Sequence, residues 1–189
     1  MKGYNKEIRD HYDFFLDLIS EKKIVKSKQI ILEIKNNNRN WYFGSTEVNH
    51  IKKEVPISLL IEQSKRDNKY GIKLRCSTLT CEPFFRFDSD GPAHRNDDPS
   101  IPLDKQSITT PHFNHFNAQG KSIAYKTSQL LNENDSDAIV NDINIGLSHF
   151  CFETNISMYN NDLPEVVERS PELPIPVCIS AFFNGAKFE

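Results

Sequence analysis

Residues 82–126, EPFFRFDSDGPAHRNDDPSIPLDKQSITTPHFNHFNAQGKSIAYK, decide how the rest of the chain is read. Apolar and polar residues alternate at both ends of this stretch, the period of a strand with one face on a core. In Phe84-Phe85-Arg86-Phe87-Asp88, the alternation turns Phe85 and Phe87 one way and Arg86 and Asp88 the other. In Pro111 to Phe116, His112, Asn114 and Phe116 share one face, while Phe113 and His115 take the opposite one. The Gly91-Pro92-Ala93 turn aims His94 back over the sheet, and the polar loop from Ser89 to Thr110 is long for a compact domain. Loops of that kind usually carry function. Around Ala118-Gln119-Gly120 the segments 111–117 and 121–126 make a hairpin, with glycine where a positive φ is wanted.

Working outward, 70–79 alternates as a strand and pairs with 84–88, the turn falling near Thr80 to Pro83. Residues 28–35 and 39–44 form another hairpin around Asn36-Asn37-Asn38. Trp41 in its return strand is either a hairpin-face residue or an exposed platform for a base. Residues 55–61 read as a strand entering a short helix, with Pro56 near its start. Tyr4, Ile8, His11, Tyr12, Phe15, Leu18 and Ile19 recur at helical spacing, so 4–21 is expected as one helix with His11 partly buried at the edge of its stripe. Lys22-Lys23 closes that helix favourably for its dipole. A second helix is expected over 135–152, N-capped by Asp135 or Ser136, with Ile139, Ile143, Leu147 and Phe150 inward. The fold class is therefore α+β: a mainly antiparallel sheet of hairpins with these two helices, in one domain over 1–161. Residues 162–189 hold four prolines and read as a Pro-rich arm or edge strand packed on that domain, 175–183 being too apolar for a free tail.

With 189 residues the chain is long enough for a core without staples. Hydrophobic residues at 38% and charged ones at 26% fit a globular protein rather than a disordered one. A net charge of −3 argues against wholesale coating of nucleic acid but leaves room for a local basic groove. Cys76 and Cys81 are spaced as in some zinc sites, but no second pair follows; Cys151 and Cys178 stand alone, as free thiols of a reducing compartment. MKGYNKEIRDHYDFF is no signal peptide and no window is apolar enough to span a bilayer, so a cytoplasmic protein without a membrane partner is expected.

The chemistry gathers on the polar face of the central strands. Two histidines and an aspartate supply a base, an acid and an orienting group, and an arginine beside them suits a phosphate or carboxylate. His94 and His112 are the candidate acid–base pair, Asp88 the orienting carboxylate, and Arg86, Asn96 and Asn114 the candidate ligand-binding residues. The same groups admit Zn²⁺ or Fe²⁺, where geometry decides; His112 and His115 face apart on a regular strand, and no cofactor is assigned. Bracing of a long loop by its histidines is the structural alternative.

The run FFRFDSDGPAHRNDDP…ITTPHFNHF…GKSIAYK resembles the core pattern of an uncharacterised bacterial and phage family of unknown function. There a strand ending Arg-Leu-Asp leads into a Gly-x-Pro-His-x-Asn-Pro turn and a Pro-His-x-His strand. It is also similar to the TumE-like toxin family of type II toxin–antitoxin systems. The likeness covers about a quarter of the chain, and by motif Arg86, Asp88, His94, Asn96, Pro111 and His112 carry over. One position departs: the second histidine of the strand is Asn114, with His115 one place later, and an asparagine cannot move a proton. The resemblance implies a toxin-like or mobile-element protein with RNA or another phosphate-bearing substrate and a cognate antitoxin as partner. The rival expectation is a non-enzymatic binding protein (antitoxin, immunity or anti-defence factor) that masks a protein partner.

Overall fold

The computed structural model describes residues 4–168. They form five α-helices and twelve strands: α1 Lys6–Asp10, α2 Tyr12–Ser20, β1 Lys23–Val25, β2 Gln29–Ile34, β3 Trp41–His50, β4 Ile57–Ser64, β5 Tyr70–Cys76 and β6 Phe85–Asp88. After β6 come β7 His94–Arg95, β8 Ser107–Ile108, β9 His112–Phe116, β10 Ser122–Tyr125, α3 Ser128–Leu131, α4 Glu133–Asn141, α5 Ile143–Glu153, β11 Ile156–Ser157 and β12 Glu165–Glu168. The class is α+β, and the main sheet is largely antiparallel, in the order β10-β9-β6-β5-β4-β3-β1-β11. Strand β3 is long enough to pair β2 near its start and β1 near its end. Two parallel pairings, β1 with β11 and β2 with β12, bring the end of the described chain back to its beginning.

One face of this sheet is the core. Ile57, Leu59, Ile61, Ile72, Leu74, Phe85, Phe87 and Phe113 alternate onto it and are buried. Helix α5 lies against it, Phe150 meeting Phe85 at 5.6 Å and Phe113 at 6.3 Å between ring centroids. Gly146 is small because the Tyr70 ring crosses α5 there, its hydroxyl donating to the Ile139 carbonyl. On the other face, Phe15 of α2 sits edge-on to Phe84 and Phe116, closing one end. The hairpin turn before β10 has Gly120 at φ +73°, packed against the Asn5 carbonyl.

Two asparagines close sheet margins in the same way. Asn96 donates to the Ala124 carbonyl at 2.8 Å and accepts from the Ala124 N–H at 2.7 Å, along the outer side of β10. Asn144 accepts from the Val166 N–H at 2.6 Å and donates to its carbonyl at 3.3 Å, along the outer side of β12. Each amide occupies the donor and acceptor that a further strand would use.

Several local expectations are corrected. The N-terminal helix is broken at His11, whose ψ of 39° is non-helical and whose side chain is exposed rather than partly buried. Lys23 belongs to β1, but its ammonium reaches back to the Ile19 and Glu21 carbonyls at 2.9 and 2.6 Å, ending α2. Residues 57–64 are strand throughout, with no short helix after Pro56. The expected helix at 135–152 is two, because Asp142 turns to extended backbone and its carboxylate accepts from the Asn144 and Ile145 N–H groups. The true cap of α4 is Asn132, which accepts from Asp135, not Asp135 or Ser136. Of the C-terminal arm, Glu165–Glu168 is an edge strand; the expected packing of 175–183, and Cys178, lie outside the described residues.

Candidate functional site

Strands β6 and β9 are neighbours in the sheet, with Arg86 opposite Asn114 and Asp88 opposite His112. Directly opposed residues share a face, so all four side chains stand together on the face away from α5. The Arg86 Nε lies 2.8 Å from Asp88 Oδ2, an ion pair that falls short of hydrogen-bond alignment. Asn114 Nδ2 donates to the same oxygen at 2.9 Å. His112 Nε2 is 3.7 Å from it, outside hydrogen-bond reach but close enough to feel its charge.

The long loop supplies the fifth member. It is held by β7 pairing β8 and by Gln106, buried, which donates to the Asp98 and Ile101 carbonyls at 3.0 Å each. This places His94 over β9, 6.3 Å from His112 between ring centroids, with Nε2 3.2 Å from the Ser122 carbonyl. Asn96 does not join the cluster: both ends of its amide are taken by Ala124, so its place is to pin the loop to β10. His115 faces the other way, edge-on to Tyr125 at 5.3 Å. Sequence reading overlooked Gln106, and a single glutamine in a polar loop carries no signal that would have found it.

Two open cavities meet at Arg86 and His94. One of about 580 Å³ extends over Asn114, Phe116, Ser122 and Glu82. The other, about 310 Å³, extends over Asp88, His112 and the Gly91-Pro92 turn. Beside them Glu62 lies 2.5 Å from both Lys35 and Lys73, and Lys73 stands directly across from Arg86. Burial opposes ionisation of Glu62, but the two lysines outweigh it and hold its carboxyl below the usual range.

Burial is the largest influence on His112 and lowers its pKa; Asp88 and the Thr109 backbone act against that, while His94 and Arg86 add to it. The net result favours a neutral imidazole. Three of the five buried side-chain polar atoms without a hydrogen-bond partner among the described residues fall in this cluster: Arg86 Nε, His112 Nδ1 and Asn114 Oδ1. Of these, Arg86 Nε has the Asp88 carboxylate at 2.8 Å, and His112 is reached by the Thr109 backbone. Asn114 Oδ1 is therefore the atom of this cluster that nothing meets, where native interiors satisfy nearly all such atoms.

Among the described residues, no group of three or more His, Cys, Asp and Glu side chains is placed to hold a metal ion. Cys76 is buried and Cys81 exposed, both as free thiols. No helix among the described residues is long and apolar enough to cross a membrane. No family model, curated protein or solved structure matches the chain.

Proposed function

We propose that this is a small toxin-like or mobile-element protein of the cytoplasm that acts on RNA or another phosphate-bearing substrate by histidine acid–base chemistry. The observation that carries the reading is the meeting of His94, His112, Arg86 and Asp88 in one open groove. Arg86 binds the non-bridging phosphate oxygens, exchanging part of its pairing with Asp88 for the ligand. His112, held neutral by burial, takes the proton of the attacking hydroxyl as its oxygen bonds to phosphorus. His94 gives a proton to the oxygen that leaves as its bond to phosphorus breaks. Asp88 orients Arg86 and Asn114 and supports the charge that His112 gains.

The deciding experiment follows cleavage of single-stranded RNA by the purified protein and by His112→Ala and His94→Ala variants. Loss of either imidazole is expected to slow cleavage by about 100-fold or more. An inactive parent protein, together with a His112→Ala variant indistinguishable from it in cells, removes the enzyme reading.

A second reading has its own support. Phe152 and Tyr159 are 77% and 74% exposed, and Phe152 borders a cavity of about 470 Å³ between α5 and β11. In that reading the chain is a non-enzymatic antitoxin, immunity or anti-defence factor that masks a protein partner, and the histidines only brace the loop. Co-purification of one stoichiometric partner, undiminished by His112→Ala, selects it.

A further inference from the structure

Asn114 stands at the centre of the groove, on the middle strand between β6 and β10, and is only 4% exposed. Its amide has one chemically permitted orientation. The carboxylate of Asp88 is an acceptor, so the NH₂ group must face it, as it does at 2.9 Å. The carbonyl oxygen, Oδ1, therefore points elsewhere, and no donor meets it. A buried acceptor left unmet is a standing cost to the fold, and a hydroxyl or N–H from a ligand would remove it.

A phosphodiester cannot be that donor, because it carries only acceptor oxygens at neutral pH. The ligand must bring a hydroxyl or N–H close beside its phosphate. Arg86, the phosphate-binding group of the reading above, is the direct cross-strand neighbour of Asn114, with side-chain origins roughly 5 Å apart. In RNA, the 2′-hydroxyl sits on the carbon next to the one that bears the phosphate ester, and it is present at every nucleotide whatever the base. DNA lacks it.

We propose that Asn114 is the specificity-determining residue for ribose: its Oδ1 accepts a hydrogen bond from the 2′-hydroxyl of a ribonucleotide whose phosphate is held by Arg86. This rests on the phosphate-directed reading of the same groove and narrows it to RNA. Without ligand, Oδ1 is shut off from water. The Arg86 side chain on the neighbouring strand is 40% exposed and held by Asp88 at 2.8 Å, and in this proposal a phosphate draws its guanidinium away as the ribose enters beside it.

The test uses the His112→Ala protein, to suppress cleavage, and three fluorescein-labelled probes: oligouridylate, oligodeoxyuridylate and 2′-O-methyl oligouridylate. Binding is followed by anisotropy at one salt concentration. Oligouridylate is expected to bind at least about ten-fold tighter than the other two, which lack the donor. Adding Asn114→Leu is expected to bring it down to their level. Equal binding of the three probes overturns the assignment but leaves the phosphate reading standing, as does a preference that survives Asn114→Leu. Failure of all three to bind overturns the assignment together with the nucleic-acid form of the phosphate reading. Equal binding of the probes overturns the assignment without any Asn114 variant, and Asn114→Ala, which only shortens the side chain, takes the place of Asn114→Leu if that variant does not fold.

Discussion

Asp88 Oδ2 lies 3.7 Å from His112 Nε2, too far for a hydrogen bond and near enough to act on its charge against the larger effect of burial. Arg86 acts on the same imidazole with opposite sign. Asp88→Asn is therefore expected to lower the His112 pKa further, and Arg86→Gln to raise it. NMR titration of the His112 ring protons measures both; shifts of the same sign in the two variants would show that the carboxylate and guanidinium do not act on it separately.

Asn96 should matter to the loop rather than to the chemistry. Asn96→Ala leaves the Ala124 N–H and carbonyl without partners and costs about 1–3 kcal/mol of stability. Limited proteolysis should then cut within 89–110 faster than in the parent protein. Unchanged cutting and an unchanged denaturant midpoint would mean the loop is held by Gln106 and the β7–β8 pairing alone.

Alanine ordinarily improves a helix interior over glycine by roughly 1 kcal/mol. At position 146 the sign should reverse, because a Cβ there would come within 2.7 Å of the Tyr70 ring, which is buried and tied to Ile139. Gly146→Ala is expected to destabilise by about 1–3 kcal/mol, read from chemical denaturation. A stabilised variant would show that α5 can slide away from the sheet.

Stability should depend on pH in two separate windows. Burial lowers the pKa values of His112, His115 and His149, so the unfolded chain binds more protons once pH falls through about 6.5. Their contribution is fully present above that value and is lost as pH falls through the folded pKa values. Burial also brings Lys23 down from 10.5 to about 7, so the unfolded chain again holds more protons above neutrality. Stability should therefore rise as pH climbs above about 7, and Lys23→Met should flatten that rise. Thermal melts across both windows, on the parent and on Lys23→Met, check it; a slope unchanged in the variant would locate the effect elsewhere.

The sequence reveals most where a single local period governs. Strand alternation has period two, so it correctly separates Arg86, Asp88, His112 and Asn114 from Phe85, Phe87, Phe113 and His115. Helix length is a closer contest: apolar spacing runs smoothly from 135 to 152, yet one aspartate at 142 caps a new helix and breaks the run. The apolar run after Pro56 fits strand or helix locally, and its pairing with both β3 and β5 decides the matter. The parallel pairing of β2 with β12 joins residues more than a hundred positions apart, which no local pattern records. Asn96 shows the same limit at one residue, since an asparagine in a polar loop reads alike whether it holds a ligand or the backbone.

The paired asparagines at β10 and β12 bear on how copies of this protein meet one another. An open sheet is a template, and a bare margin invites a second chain to extend it into a fibril. At Ala124 and Val166 the invitation is already answered from within the same molecule, by a side chain that presents an amide as a strand would. A chain rich in β-structure can thus be crowded without those two places seeding its own polymerisation.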